Sequence, residues 1–256
     1  MAGGGADANH RPRGADGLTG HRGPVRGSAQ DVRDAAVTVT PTGPPAARLA
    51  GFGVSFAVVL AAVIVWVLAA DLRPTAWDMT LHRAGMDHRT ARLTAVAVAF
   101  SATSEYLAYA AAAVGTLLAL RPRPWWFGAV AGVLVLAFAQ GVRVALAAAI
   151  GRSRPPEADW EMHAAGFALP SGHTATATLA AGLLCLGLAR WLRSAWRFAA
   201  MAVLVLWAVG GGVGRVYLGV HWPTDILGGW LLGALLTVLA AGLFARVRTP
   251  RSQRGE

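Results

Sequence analysis

Apolar residues fill this chain in long unbroken runs, not in the alternating or one-in-four patterns of a soluble fold. Ala50 to Ala70 passes 21 residues without a charge, which at ~1.5 Å per helical residue covers a hydrocarbon core of ~30 Å. Leu93 to Leu120 carries one charge, Glu105, and is longer than one upright span. It reads either as a tilted helix or as an entering segment followed by a span, and the boundaries between 73 and 105 stay open. The run from Pro124 to Val142, resumed from Val144 to Gly151, predicts a third helix interrupted by Arg143. Ser171 to Ala189, Phe198 to Gly214 and Ile226 to Ala245 predict three more. The expected fold class is therefore all-α, a polytopic membrane bundle of about six transmembrane helices. Residues 1–47 are rich in Gly, Pro, Arg and Ala and have neither apolar periodicity nor the apolar core of a signal peptide. They predict a disordered cytoplasmic tail, with 48–249 as the membrane-embedded domain and 250–256 as a second tail.

Composition agrees with a bilayer: 55% hydrophobic and 14% charged residues exclude an ordinary soluble domain. A net charge of +10 would suggest nucleic acid in a soluble protein, but here all 23 basic residues are Arg and lie mostly between apolar runs. That distribution encodes topology, and no nucleic-acid partner is expected. Fifteen of the 23 fall in the two tails, beside them at Arg48, Arg246 and Arg248, and at Arg121, Arg123, Arg190, Arg193 and Arg197, all on one side if the helices alternate. The expectation is a multi-pass protein of the plasma membrane with both termini cytoplasmic. Trp125, Trp126, Trp191 and Trp196 fit an inner interfacial belt, and Trp160 and Trp222 an outer one. Cys185 stands alone in an apolar run, so neither a disulfide framework nor a Cys-based metal site is expected.

Three polar islands interrupt the apolar runs: Arg152-Ser153-Arg154-Pro155, Pro170-Ser171-Gly172-His173, and the stretch from Gly214 to Asp225. All three fall at the outer ends of the predicted helices, and so converge on one site. In the second, Ser171 suits an N-cap, Gly172 allows a ligand close to the backbone, and the N–H groups of a first helical turn would hold a phosphate. His173 is placed there to protonate a departing alkoxide. In the third, Pro223 suits a first helical turn, which puts His221 and Asp225 one turn apart on one side. Asp225 could then accept from one ring nitrogen of His221 and leave the other as a nucleophile. Arg154 and Arg215 supply permanent positive charge in a fork that matches phosphate oxygens. Each feature alone has a plainer reading, as a capped helix or a topology-setting Arg, and Arg152, Asp159, Glu161 and His163 keep that plainer reading.

In this order and spacing the islands resemble the signature of the type 2 phosphatidic acid phosphatase family, relatives of the vanadium haloperoxidases. That signature is Lys, six residues, Arg-Pro; then Pro-Ser-Gly-His; then Ser-Arg, five residues, His, three residues, Asp. Arg154-Pro155, Pro170 to His173, and Arg215, His221 and Asp225 match it, and the resemblance runs from about Leu49 to Arg248. It implies an acid phosphatase/haloperoxidase-like helical core and metal-independent, cofactor-free dephosphorylation of a membrane lipid phosphate or diphosphate. His221 would attack phosphorus, Asp225 would orient it, and His173 would protonate the leaving group. Arg154, Arg215 and the Ser171-Gly172 backbone would hold the phosphate oxygens, at the outer face of the bilayer. Two positions depart from the pattern: Ala147 stands where the family has Lys, and Gly214 where it has Ser. Arg143, one turn before Ala147 on the same helix face, is expected to supply part of the missing charge, or else to pair with a carbonyl, Gln140 or Glu105. Two alternatives stay open, a lipid phosphotransferase on the same fold and a family member acting as a non-enzymatic membrane protein.

Overall fold

The computed structural model describes residues 45–248; most of the predicted N-terminal tail and the whole of the C-terminal one lie outside these residues. Seven α-helices make up the described chain: α1 (Pro45–Ala69), α2 (Ala76–Asp87), α3 (Ala91–Leu120), α4 (Trp125–Ile150), α5 (Gly172–Leu188), α6 (Ser194–Tyr217) and α7 (Pro223–Arg248). A single 3-10 turn, Glu157–Asp159, lies in the loop between α4 and α5. Four of the helices, α1, α4, α6 and α7, are long and apolar enough to cross a membrane. The other two segments read as spans, α3 and α5, make the most extensive helix–helix packing in the molecule. Large apolar side chains face outward, among them Phe138, Val203 and Leu206, each more than 60% exposed, as suits a surface solvated by lipid. The chain is a multi-pass membrane protein.

The core lies where α3, α4, α5 and α7 meet, around Ala112, Leu136, Leu179, Leu183 and Phe244. Small residues let these backbones touch: a Cβ on Gly115 of α3 would stand 2.5 Å from the main chain of Leu183 on α5. Without a hydrophobic drive between helices in lipid, such close contact is a principal source of attraction. The helix ends follow their local sequence. Gly151 closes α4 in the left-handed region, at φ 72°, with its N–H on the Ala147 carbonyl. Pro223 opens α7, and Asp225 in its first turn accepts the Trp222 N–H at 2.8 Å.

Helix α2 was not expected from the run pattern. Its start is a capping box in which Asp78 N–H meets Thr75 Oγ1 at 3.1 Å and Thr75 N–H meets Asp78 Oδ2 at 3.0 Å. The face it buries is polar, with Asp78 at 0% and His82 at 4% exposure. A hydropathy reading cannot register such a face. The outer tryptophan belt is also corrected in part. Trp125, Trp126, Trp191 and Trp196 are exposed, whereas Trp222 is buried, rests 5.0 Å from the His82 ring centroid, and donates Nε1–H to the Ser153 carbonyl.

Candidate active site

The three polar islands meet at one end of the bundle. The α4–α5 loop is pinned to the segment after α6 by Glu161 N–H on the Leu218 carbonyl and by Arg154 on the Val220 carbonyl. Ser171, just before α5, donates its N–H to the Asp225 carbonyl at 3.0 Å. These three contacts bring Arg154, His173, Arg215, His221 and Asp225 together. Gly219, at φ 75° and packed against the Asp159 carbonyl, turns the chain into Val220 and His221 where a side chain would collide.

His221 is buried, with its Nδ1 3.4 Å from Asp225 Oδ2 and its Nε2 2.8 Å from Arg154 NH1. A guanidinium can only donate, so Nε2 is the acceptor and carries the lone pair. The ring proton therefore sits on Nδ1, facing Asp225. Burial, followed by the charges of Arg154 and Arg215, holds the His221 pKa well below its ordinary value, so the ring is neutral at physiological pH. His173 and then Arg143 add smaller effects in the same direction.

Arg154 is anchored by four carbonyls. Nε binds Gly166, NH2 binds Ala165 and Phe167, and NH1 binds Val220, at 2.8–3.5 Å. With the bond to His221 all five of its N–H donors are used. Burial lowers the Arg154 pKa, Asp225 opposes that effect and Arg143 adds to it, yet a guanidinium stays charged in this range. Arg215, buried at the end of α6, has NH1 3.0 Å from both Ser101 Oγ and Met162 Sδ.

Behind His221 lies a buried network that the sequence reading did not foresee. Arg152 was read as a topology residue, but it is fully buried, with NH1 2.7 Å from Asp225 Oδ1 and NH2 2.8 Å from Asp78 Oδ2. Thr224 completes the cluster, its N–H 2.9 Å from Asp78 Oδ1 and its hydroxyl in contact with both Asp78 and Arg152. Burial alone would raise the Asp78 pKa, but hydrogen bonds from Thr224, Arg152 and Thr75 hold it below the usual carboxylate range. Asp225 is therefore fixed from behind, one oxygen on Arg152 and the other on the Trp222 N–H and the His221 ring. The Thr75-Ala76-Trp77-Asp78 capping signature was the available clue to this helix. Asp159 pairs with His82 at 3.0 Å and Glu161 with Arg89 at 3.4 Å.

Two local expectations need correction. Ser171 occupies the cap position but makes no side-chain cap; its Oγ accepts instead from Thr174 Oγ1 at 3.0 Å. The space above Gly172 is not open, because the Arg143 guanidinium fills it: a Cβ there would stand 2.7 Å from Arg143 NH2. Arg143 makes no hydrogen bond to Gln140 or to a main-chain carbonyl, and its buried Nε has no partner among the described residues; the Glu105 side chain lies outside the described set. Ala147 is buried at 2% exposure, and Gly214 lies inside α6, where its N–H belongs to the helical ladder.

The family model described as PAP2 superfamily matches residues 92–248. Phosphatidylglycerophosphatase B of Escherichia coli (strain K12) is 40% identical over 95 residues, 36% of this chain and 34% of that protein. Phosphatidylglycerophosphatase B of Bacillus subtilis (strain 168) is 35% identical over 106 residues, covering 41% and 52%. An undecaprenyl-diphosphatase of Sulfolobus acidocaldarius is 37% identical over 75 residues, covering 29% and 32%. The chain thus spans about a third to a half of the length of these curated relatives. The crystal structure of a transmembrane PAP2 type phosphatidylglycerolphosphate phosphatase from Bacillus subtilis superposes with a TM-score of 0.67 at 24% identity, over 78% of this chain and 98% of the other. That likeness extends the shared fold beyond the matched segments.

Proposed function

The chain belongs to the PAP2 superfamily, and from that premise we propose that it hydrolyses a membrane lipid phosphate or diphosphate through a phosphohistidine on His221. The observation that carries this reading is the 2.8 Å contact between Arg154 and His221 Nε2. It joins a phosphate-binding cation to the lone pair of a neutral, buried imidazole whose other nitrogen faces a carboxylate. Because every other Arg154 donor is held by the backbone, an incoming phosphate oxygen takes over the one N–H that caps the nucleophile. Substrate binding and release of the lone pair are then a single exchange.

In the first step Nε2 of His221 forms a bond to phosphorus as the bond to the lipid oxygen breaks, and His173 gives that oxygen a proton. Asp225 stabilises the charge acquired by the ring, and its 3.4 Å separation from Nδ1 shortens as that charge develops. Arg154, Arg215, the N–H groups at Gly172 and the first turn of α5, and the Ser171 hydroxyl proton bind the non-bridging oxygens. In the second step water attacks the phosphohistidine while His173 takes its proton, and inorganic phosphate leaves. The guanidinium groups supply the positive charge, so no metal or organic cofactor is required. The lipid tail stays among the helices and the headgroup reaches the helix ends, at the outward face of a plasma membrane with both termini cytoplasmic. Residues 48–249 form the catalytic unit.

The test is phosphate release by the purified protein from a panel of lipid phosphates in EDTA, with His221→Ala alongside. Turnover by the parent and its loss in the variant are expected. Turnover that stops on chelation and returns with Mg²⁺ would assign the chemistry to a metal.

A further inference from the structure

Arg143 is set apart from the other site cations by its position. It lies seven residues before the end of α4, ~10 Å below the helix terminus, and faces a cavity of about 140 Å³ lined by Ser104, Tyr109, Gln140, Gly172, His173 and Thr176. A single water needs only about a tenth of that volume. Gln140 is three residues deeper on α4, and Thr176 is one turn into α5, so the cavity runs from His173 toward the membrane interior. Two of its polar atoms, Arg143 Nε and Thr176 Oγ1, are buried without a hydrogen-bond partner among the described residues, and Thr176 is only 7% exposed.

We propose that this cavity is a subsite for a second phosphate, and that the protein is built for a lipid diphosphate over a lipid monophosphate. The inference rests on the reading above, in which His221 attacks phosphorus and His173 serves the leaving oxygen. In-line displacement puts the leaving group opposite His221, and the tail must lie toward the bilayer. Whatever follows the leaving oxygen therefore enters the Arg143 cavity. In a polyprenyl monophosphate that is an uncharged carbon chain, which leaves the Arg143 guanidinium and the Thr176 hydroxyl facing hydrocarbon in low dielectric. In a diphosphate it is an anionic phosphate that these two groups and the Gln140 amide can bind.

The step balances without a co-reactant. The bond from the terminal phosphorus to the bridging oxygen breaks, and that oxygen leaves with its electron pair on the lipid monophosphate. Water then releases the terminal group from His221 as inorganic phosphate. A phosphate leaving group, with a pKa near ~6, needs a proton far less than an alkoxide does. On this account Arg143 does not copy the missing lysine at Ala147. It moves one positive charge from the transferred group to the leaving group.

The experiment compares a polyprenyl diphosphate with the monophosphate of the same chain length, in kcat/KM and in binding of their non-hydrolysable phosphonate analogues. The parent should favour the diphosphate, and Arg143→Gln should reduce that preference by about 10- to 100-fold, the range for one charged hydrogen-bonding partner. Gln140→Leu and Thr176→Val should reduce it less, and Arg143→Lys should keep part of it. A folding fault lowers both substrates together, so the ratio isolates the subsite. Equal turnover and equal binding of the two lipids by the parent, or an equal fall for both in Arg143→Gln, would overturn the proposal. Preferential diphosphonate binding lost in Arg143→Gln, in a protein that hydrolyses neither lipid, would keep the subsite and overturn the catalytic reading instead.

Discussion

His221 concentrates the chemistry of the molecule, and its environment has a measurable consequence. Burial and two neighbouring guanidinium groups depress its pKa below the ordinary ~6.5 of histidine. The nucleophile needs the neutral ring, so the acid limb of the kcat/KM profile should lie below pH 6.5. Stability follows the same sign. A histidine held neutral in the fold binds its proton more readily when unfolded, so its contribution is present above ~6.5 and is lost as pH falls through the depressed value. A pH series of activity and of melting temperature checks both, and an acid limb at or above 6.5 would mean that the ring is not held neutral. The motif residues themselves were legible in the sequence because their chemistry is local. A proline, a histidine and an aspartate at fixed offsets dictate a helix start and a shared face. What surrounds them was not legible, as Arg152 shows: nothing in its neighbours distinguishes a surface guanidinium from one that two carboxylates from distant segments hold in the core.

Helix α2 exists to bring one of those carboxylates. It carries Asp78 from a stretch of mixed polarity, and through Arg152 and Thr224 it braces the start of α7. The long apolar helices were legible because length and hydropathy suffice to identify them. A 12-residue helix with an inward polar face offers neither signal. Arg152→Ala should remove the shared partner of two fully buried carboxylates and cost about 3–5 kcal/mol of stability, the range for breaking a buried ion pair from one side. A thermal melt in detergent reads this as a large fall in melting temperature, and Asp78→Asn should fall less because Thr224 and Arg152 keep a neutral partner. A melt of Arg152→Ala within a degree or two of the parent would show the network to be dispensable.

For the whole molecule, the proposed orientation of the bundle makes a direct prediction. On the proposed orientation, the turn before α6 faces the cytoplasm and the α4–α5 loop lies outside. Ala158 in that loop and Ser194 at the start of α6 are both exposed. In a Cys185→Ala background, a membrane-impermeant thiol reagent applied to intact cells should label Ala158→Cys and spare Ser194→Cys. The reverse pattern would put the site in the cytoplasm and change the pool of lipid available to it. The architecture follows from a division of labour: α3, α5 and α7 bring small residues together in the core, while the polar groups collect where helices end and the backbone has unpaired donors.

The central claim is a covalent bond between His221 and phosphorus, and a rapid quench with a lipid substrate labelled in its terminal phosphate tests it most directly. The parent should yield a labelled protein that survives base and loses its label in acid, at up to one phosphate per chain, and His221→Ala should yield none. A parent that releases phosphate in the same quench series with no labelled protein at any time, or an equal label on His221→Ala, would contradict the account.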